Sequence, residues 1–127
     1  MAAKFAHSDV LDGGLLAIKN GATKMLLVSA YTFGDSYATV NTNTVASVTM
    51  AATDFTISSS GNNRVLTTAT KSATASGSIG GTPDLQFVFT DGASRVLWVT
   101  DETSNQAIAS GNTVNFPALT YTSNQPT

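Results

Sequence analysis

Apolar residues recur along this chain at two spacings. In "HSDVLDGGLLAIKNGATK", Leu11, Leu15 and Ile18 fall at i, i+4 and i+7, the period of a helix that buries one face. Ser8 suits the N-cap, Asp9 and Asp12 suit the positive first turn, and Asn20-Gly21 suits a left-handed exit. Gly13 and Gly14 each weaken such a helix by about 1 kcal/mol relative to alanine, so it needs a surface to dock on. The spacing then changes. Met25 to Phe33 reads as an apolar strand, and "GDSYATV" as a polar turn leading into the next segment. Thr, Val and Ile favour strand in the stretch from Tyr37 to Ile57, while its alanines leave a short helix near Val45 to Ala52 open. Ser58 to Asn63 reads as a loop, and Arg64 to Ile79 as a strand that becomes small and polar, ended by "GGTPD".

The clearest strand signal is "LQFVFTDGASRVLWVTD", Leu85 to Asp101. A type II′ turn at Gly92-Ala93 pairs Asp91 with Ser94, Thr90 with Arg95, Phe89 with Val96 and Phe87 with Trp98. One face then carries Leu85, Phe87, Phe89, Val96 and Trp98. The other carries Val88, Leu97 and Val99 among Gln86, Thr90 and Arg95. That second face is too apolar for water and calls for a cover: the N-terminal helix, a second sheet or another subunit. Strand "AIAS", a Gly111-Asn112 turn and strand "TVNFPALTY" follow, with Pro117 marking an edge or a bulge. The tail, residues 123–127, has no apolar anchor and reads as loose. Seven or eight strands with frequent turns make the chain mainly β. The expectation is one domain over residues 1–127, an antiparallel β-sandwich or jelly roll with one N-terminal α-helix at about 8–20 and strands from about 24 to 122.

Composition narrows the function. Hydrophobic residues are 42% of the 127, enough for a core. Charged residues are only 11%, against about 25% in a typical domain, so the surface is Ser, Thr, Asn and Gln. Such a surface repels copies of itself weakly and suits burial in an assembly. The net charge is -2 and the six Lys and Arg are scattered singly, which argues against nucleic-acid binding. The apolar run Met25 to Val28 falls far short of the roughly 20 residues that span a bilayer. "MAAKFAHSDV" lacks a signal-peptide pattern, so a soluble protein made in the cytosol is expected.

Chemistry is sparse. The chain has no cysteine and a single histidine, His7, which excludes thiol chemistry and a Cys- or His-rich metal site. Gly34-Asp35-Ser36 resembles the nucleophile block of one esterase family, but no base accompanies it, and the triplet is ordinary turn chemistry. Asp35, Asp54, Asp84, Asp91 and Asp101 all fall at expected turns, where aspartate bonds its own backbone. Asp101 with Glu102 reads as an acidic loop. No catalytic residue, metal ligand or cofactor site is expected. Tyr37 and Tyr121 are left as interface anchors. Together with Leu11, Leu15, Ile18, Val88, Leu97 and Val99 they form the expected contact set.

Several stretches resemble a group of small structural proteins of tailed bacteriophages. They are "HSDVLDGGLLAIKNGATKMLLVSAYTFGDSYATV", "SVTMAATDFTIS" followed by "RVLTTATKS", and "GASRVLWVTDETSNQAIASGNTVNFPALTYTSNQPT". The resemblance lies in overall pattern and covers most of the chain, and it transfers no functional residue. It implies a virion component, a capsid cement or decoration protein over the major capsid lattice. A dimer or trimer partnered by the major capsid protein or other virion proteins is implied too, made in the host cytoplasm and released by lysis. A tail, neck or fibre-associated protein and a carbohydrate-binding module are the alternatives.

Overall fold

The structure is a computed structural model and describes residues 2–80, 84–104 and 106–127. The expected break "GGTPD" falls mainly on 81–83, outside those residues. Nine strands are described, labelled in chain order β1 (Lys24–Val28), β2 (Thr44–Thr49), β3 (Phe55–Ser60), β4 (Asn63–Thr68), β5 (Lys71–Thr74), β6 (Gln86–Thr90), β7 (Val96–Asp101), β8 (Thr113–Phe116) and β9 (Thr120–Ser123). Helix α1 (Ser8–Gly21) precedes them, and a short helix α2 (Tyr37–Thr42) lies between β1 and β2. The pairings between the strands are antiparallel: one sheet in the order β2-β1-β6-β7, a second β3-β4-β9, and a third β5-β8. They pack as a sandwich. Of the two expected architectures the sandwich is observed, and jelly-roll connectivity is not established by this order.

The two central strands of the large sheet, β1 and β6, are buried on both faces, which is why they read as unbroken apolar runs. Register alternates their side chains. Met25 lies opposite Phe89 and Leu27 opposite Phe87, and these four point into the main core with Leu66, Phe55, Val114 and Phe116 from the other sheets. Leu26, Val28 and Val88 point the other way into a second cluster that is closed by Val40 of α2, with Tyr31, Val96 and Val99 packed against it. The cover expected for the hairpin's second face is therefore supplied by a helix of the same chain.

That helix was not legible in its residues. Tyr-Ala-Thr-Val-Asn-Thr is rich in β-formers, yet Ser36 caps it by accepting the Thr39 N–H, and Val40 is fully buried. The apolar run expected as a strand to Phe33 ends instead at Val28. The stretch left open between strand and helix is strand over Thr44–Thr49, with one short 3₁₀ turn at Ala52–Asp54. Ser58 to Asn63 is not a loop either. β3 and β4 meet through a two-residue turn at Gly61-Asn62, with Ser60 paired to Asn63. "AIAS" contributes a single bridge, Ile108 to Ile79. Pro117 separates β8 from β9, as a residue without an N–H dictates.

Helix α1 docks as its apolar spacing requires, with Leu11, Leu15 and Ile18 buried. Its cap is His7, not Ser8: the imidazole Nδ1 accepts the Asp9 N–H at 3.0 Å, and Ser8 is already helical. Its exit is not left-handed, since Ala22 follows in an extended conformation. Gly21 matters for space, because a Cβ there would lie 3.3 Å from Leu97 Cδ1 on β7. Two polar ties fix the helix to β3 and β4. Asp12 accepts a fork from Arg64, Nε at 2.8 Å and Nη2 at 3.2 Å. Lys19 Nζ donates to the carbonyls of Ala52 and Phe55 at 2.7 and 2.6 Å.

A Cβ on Gly13 or on Gly14 would meet nothing within 4 Å, and neither residue has positive φ. Gly13→Ala and Gly14→Ala are each expected to raise stability by about 0.5–1 kcal/mol, the helical cost of glycine relative to alanine. Urea denaturation checks this, and a loss of stability in either variant contradicts the uncrowded placement of this helix face.

Candidate interaction surface

The expected contact residues divide sharply. Leu11, Leu15, Ile18 and Val88 are buried within the chain's own core, so the expectation that they face another subunit is corrected. Leu97 and Val99 are half-buried: Leu97 packs against the main core beside Gly21, and Val99 against the α2 cluster. Tyr121 is 43% exposed, and its ring meets the Trp98 ring edge-on at 5.5 Å. Tyr37 is half-buried and shares with Leu97 the rim of a depression of about 450 Å³, along with Tyr31, Asp35, Ser36 and Arg95. The structure thus brings Tyr37 and Leu97 together and places Tyr121 elsewhere.

The exchange of Val96 and Leu97 between faces has a local cause. The expected two-residue turn would set Phe89 against Val96. Observed instead are Phe89 opposite Trp98, Phe87 opposite Thr100, and a bulge where Thr90 meets Val96. Asp91 Oδ1 accepts the N–H groups of Ala93, Ser94 and Arg95 at 2.8–3.0 Å, so one carboxylate organises a longer loop. Gly92, with φ of 75°, takes the left-handed position inside it. The bulge places Leu97 toward the main core and Val96 toward Val88. The Arg95, Ser94 and Ala93 N–H bonds, in that order, hold the Asp91 carboxyl far below the usual carboxylate range. Because the folded state favours the ionised form, the loop's support is present at neutral pH and is lost only in strong acid.

The Gly34-Asp35-Ser36 triplet is a turn in full. Asp35 Oδ2 accepts the Thr32 N–H at 2.8 Å, the Asp35 N–H donates to the Thr32 carbonyl at 2.9 Å, and Gly34 has φ of 89°. The Gly34 N–H also reaches the Tyr31 hydroxyl at 3.3 Å. Ser36 is spent on capping α2. What this tight turn presents is Phe33, 98% exposed. An aromatic ring held in water by a hydrogen-bonded turn is the most conspicuous surface feature of the chain. It was hidden in the sequence because Phe33 ends an apolar run that reads as strand. The signal that finds it is the turn-forming triplet immediately after it. Phe33, Tyr31, Val96 and Val99 together border a shallow depression of about 360 Å³ on β7.

Two further carboxylates are engaged structurally. Asp54 binds the Ala51 N–H at 2.8 Å and Lys71 Nζ at 3.0 Å, and these, the backbone bond foremost, lower its carboxyl pKa. Arg95 Nε lies 3.0 Å from Asp91 Oδ2. Among the described residues no group of three or more His, Cys, Asp or Glu is placed to hold a metal ion, and no helix is long and apolar enough to cross a membrane. A concavity of about 770 Å³ lies between the N-terminal arm, the start of α1, the β3–β4 turn and Gln125. There the tail is tied down, against the expectation of a loose end. Gln125 donates from its backbone to Asn63 Oδ1, while its side chain bonds both the N–H and the carbonyl of Ala6. Polar anchoring replaces the missing apolar anchor.

No protein family, curated protein or solved structure matches the chain.

Proposed function

We propose that this chain is a non-enzymatic structural component of a tailed-bacteriophage particle, a cement or decoration protein that binds over the major capsid lattice. The observation that carries the reading is Phe33: a fully exposed aromatic side chain on a turn with its own hydrogen bonds, beside the apolar residues Tyr31, Val96 and Val99. Binding hot spots are enriched in aromatic residues that fill a partner's pocket. A rigid support lowers the entropy lost on docking. The resemblance of the residue pattern to small phage structural proteins supplies the partner, and the low charge of the surface suits burial between capsid subunits. Association into a dimer or trimer belongs to the same proposal, with Leu11, Leu15, Ile18 and Val88 excluded from its contacts by their burial.

A carbohydrate-binding reading draws less support. Around Tyr37, the Asp35 carboxylate, the Ser36 hydroxyl and the Arg95 guanidinium already serve the fold's own turns and cap.

Phe33→Ser separates binding from folding. The variant is expected to keep its stability within about 0.5 kcal/mol, as surface changes do. It is expected to bind particles lacking the native protein at least about tenfold more weakly in co-sedimentation, as loss of an aromatic hot spot does. Undiminished binding would remove Phe33 from the contact and the reading with it.

A further inference from the structure

We propose that the free edge of β7 (Val96–Asp101) is the surface on which a second copy of this chain docks, strand against strand about a two-fold axis at Val99. The inference deepens the dimer part of the proposed function and rests on it. β7 ends its sheet, with β6 on one side and no strand of the described residues on the other. Hydrogen-bonded pairs alternate with non-bonded ones along an antiparallel ladder. The Glu102 N–H donates to the Leu85 carbonyl at 2.9 Å and Gln86 lies opposite Asp101, so the bonded pairs continue through Phe87–Thr100 and Phe89–Trp98. The N–H and carbonyl groups of Val99 and Asp101 therefore point away from β6, and among the described residues nothing of the chain bonds them. An edge of that kind is a template for another strand. Val99 is the outward-bonding residue nearest the middle of the edge, which sets the axis there.

The edge is open and apolar where it is unpaired. The depression of about 360 Å³ touches Val96 and Val99 from one face of the sheet and Leu97 and Trp98 from the other, so it opens over the edge itself. Between Val96 and Asp101 stands no lysine or proline of the kind that blunts exposed edges. The bulge is confined to the Val96 end and leaves Trp98 to Asp101 in unbroken register. The opposite edge of the sheet, on β2, has cover from the chain: the Val45 carbonyl accepts the Ser76 N–H at 2.7 Å and the Ser76 hydroxyl at 3.2 Å. β9 is shorter, and its exposed Thr120 and Thr122 give a second strand little apolar surface to bury. Charge names the partner. An antiparallel copy sets the Asp101 end of one β7 against the Arg95 end of the other, twice by symmetry. Asp101 is exposed and forms no ion pair among the described residues, and the Arg95 side chain, 63% exposed, gives only its Nε to Asp91. On a chain with 11% charged residues, opposite charges at the two ends of the same edge fit a copy of itself. Joining the two β7 edges makes one eight-stranded sheet from two of four strands.

Sedimentation velocity and amide exchange on the full chain test this without particles, so that its failure is read apart from that of capsid binding. The expected result is a dimer of the 13.1 kDa chain in which the Val99 and Asp101 amides, solvent-facing in a single copy, are protected from exchange. Asp101→Lys sets like charges against Arg95 at both ends of the pair. It should weaken the dimer at least about tenfold and expose the Val99 amide, with the near-UV circular dichroism unchanged. A wild-type monomer at NMR concentration, a trimer, or a dimer whose Val99 and Asp101 amides exchange freely would each overturn the edge pairing. So would a dimer that Asp101→Lys leaves at full strength.

Discussion

Phe89→Ala is expected to lower the free energy of unfolding by about 3–5 kcal/mol, the cost of emptying a packed aromatic site. Phe89 is fully buried near the end of β6, where it joins both layers. Its ring stacks on Trp98 of the neighbouring strand at 4.6 Å with an interplanar angle of 12°. It tilts against Phe55 of the facing sheet at 6.0 Å. Trp98 in turn meets Tyr121 of β9, so truncating Phe89 breaks a contact chain that runs across the sandwich. Rigid strands on both sides limit collapse into the space left behind. Urea denaturation should show the midpoint falling with the slope unchanged. A loss below about 1.5 kcal/mol, the range of a volume-conserving core swap, would show that this stack is not the centre of the core.

Val88→Asp is expected to do at least as much damage, and for a different reason. Val88 faces away from Phe89 into the cluster of Leu26, Val28 and Val40, and it is equally buried. A carboxylate placed there loses its water among the apolar side chains of Leu26, Val28, Val40, Tyr31, Val96 and Val99. A charge buried without a partner costs several kcal/mol. That is enough to remove much of the roughly 5–15 kcal/mol that holds a typical domain together. The expected outcome is loss of cooperative unfolding and of near-UV circular dichroism from the aromatic core, seen at any protein concentration. A folded, soluble Val88→Asp protein altered only in its association state would contradict the structure, because it would mean that α2 does not cover this face.

The contrast between these two residues shows how far the sequence is legible. Alternation in Leu85 to Asp101 assigns Phe87, Phe89 and Trp98 to the core, and they are there. It also detects that the opposite face needs a cover. What it cannot supply is the covering element, because α2 is made of β-prone residues and becomes helical through the Ser36 cap and the burial of Val40. Tertiary context overrides propensity there. The exchange of Val96 and Leu97 follows from one carboxylate, Asp91, gathering three N–H groups into a longer loop than the expected two-residue turn at Gly92-Ala93. Helix α1 was legible from its spacing, but its cap was not, since histidine lies outside the usual N-cap residues. Of the contact residues expected from sequence, Leu11, Leu15, Ile18 and Val88 proved to be core, and Leu97 and Val99 are half-buried against it. Periodicity reports burial and does not say against what. Phe33 sits outside any periodic pattern. The turn signal of Gly34, Asp35 and Ser36 marks a turn beyond the end of β1, and Phe33 is stranded in water on it.

The measurement that tests the virion reading most directly is the copy number of this chain, by quantitative mass spectrometry, in purified phage particles produced by the organism it comes from. A ratio to the major capsid protein near one, or a simple fraction amounting to hundreds of copies, is the result the cement reading predicts. A few to a few dozen copies would place the protein at the neck, tail or fibres, and its absence from the particle would contradict the account.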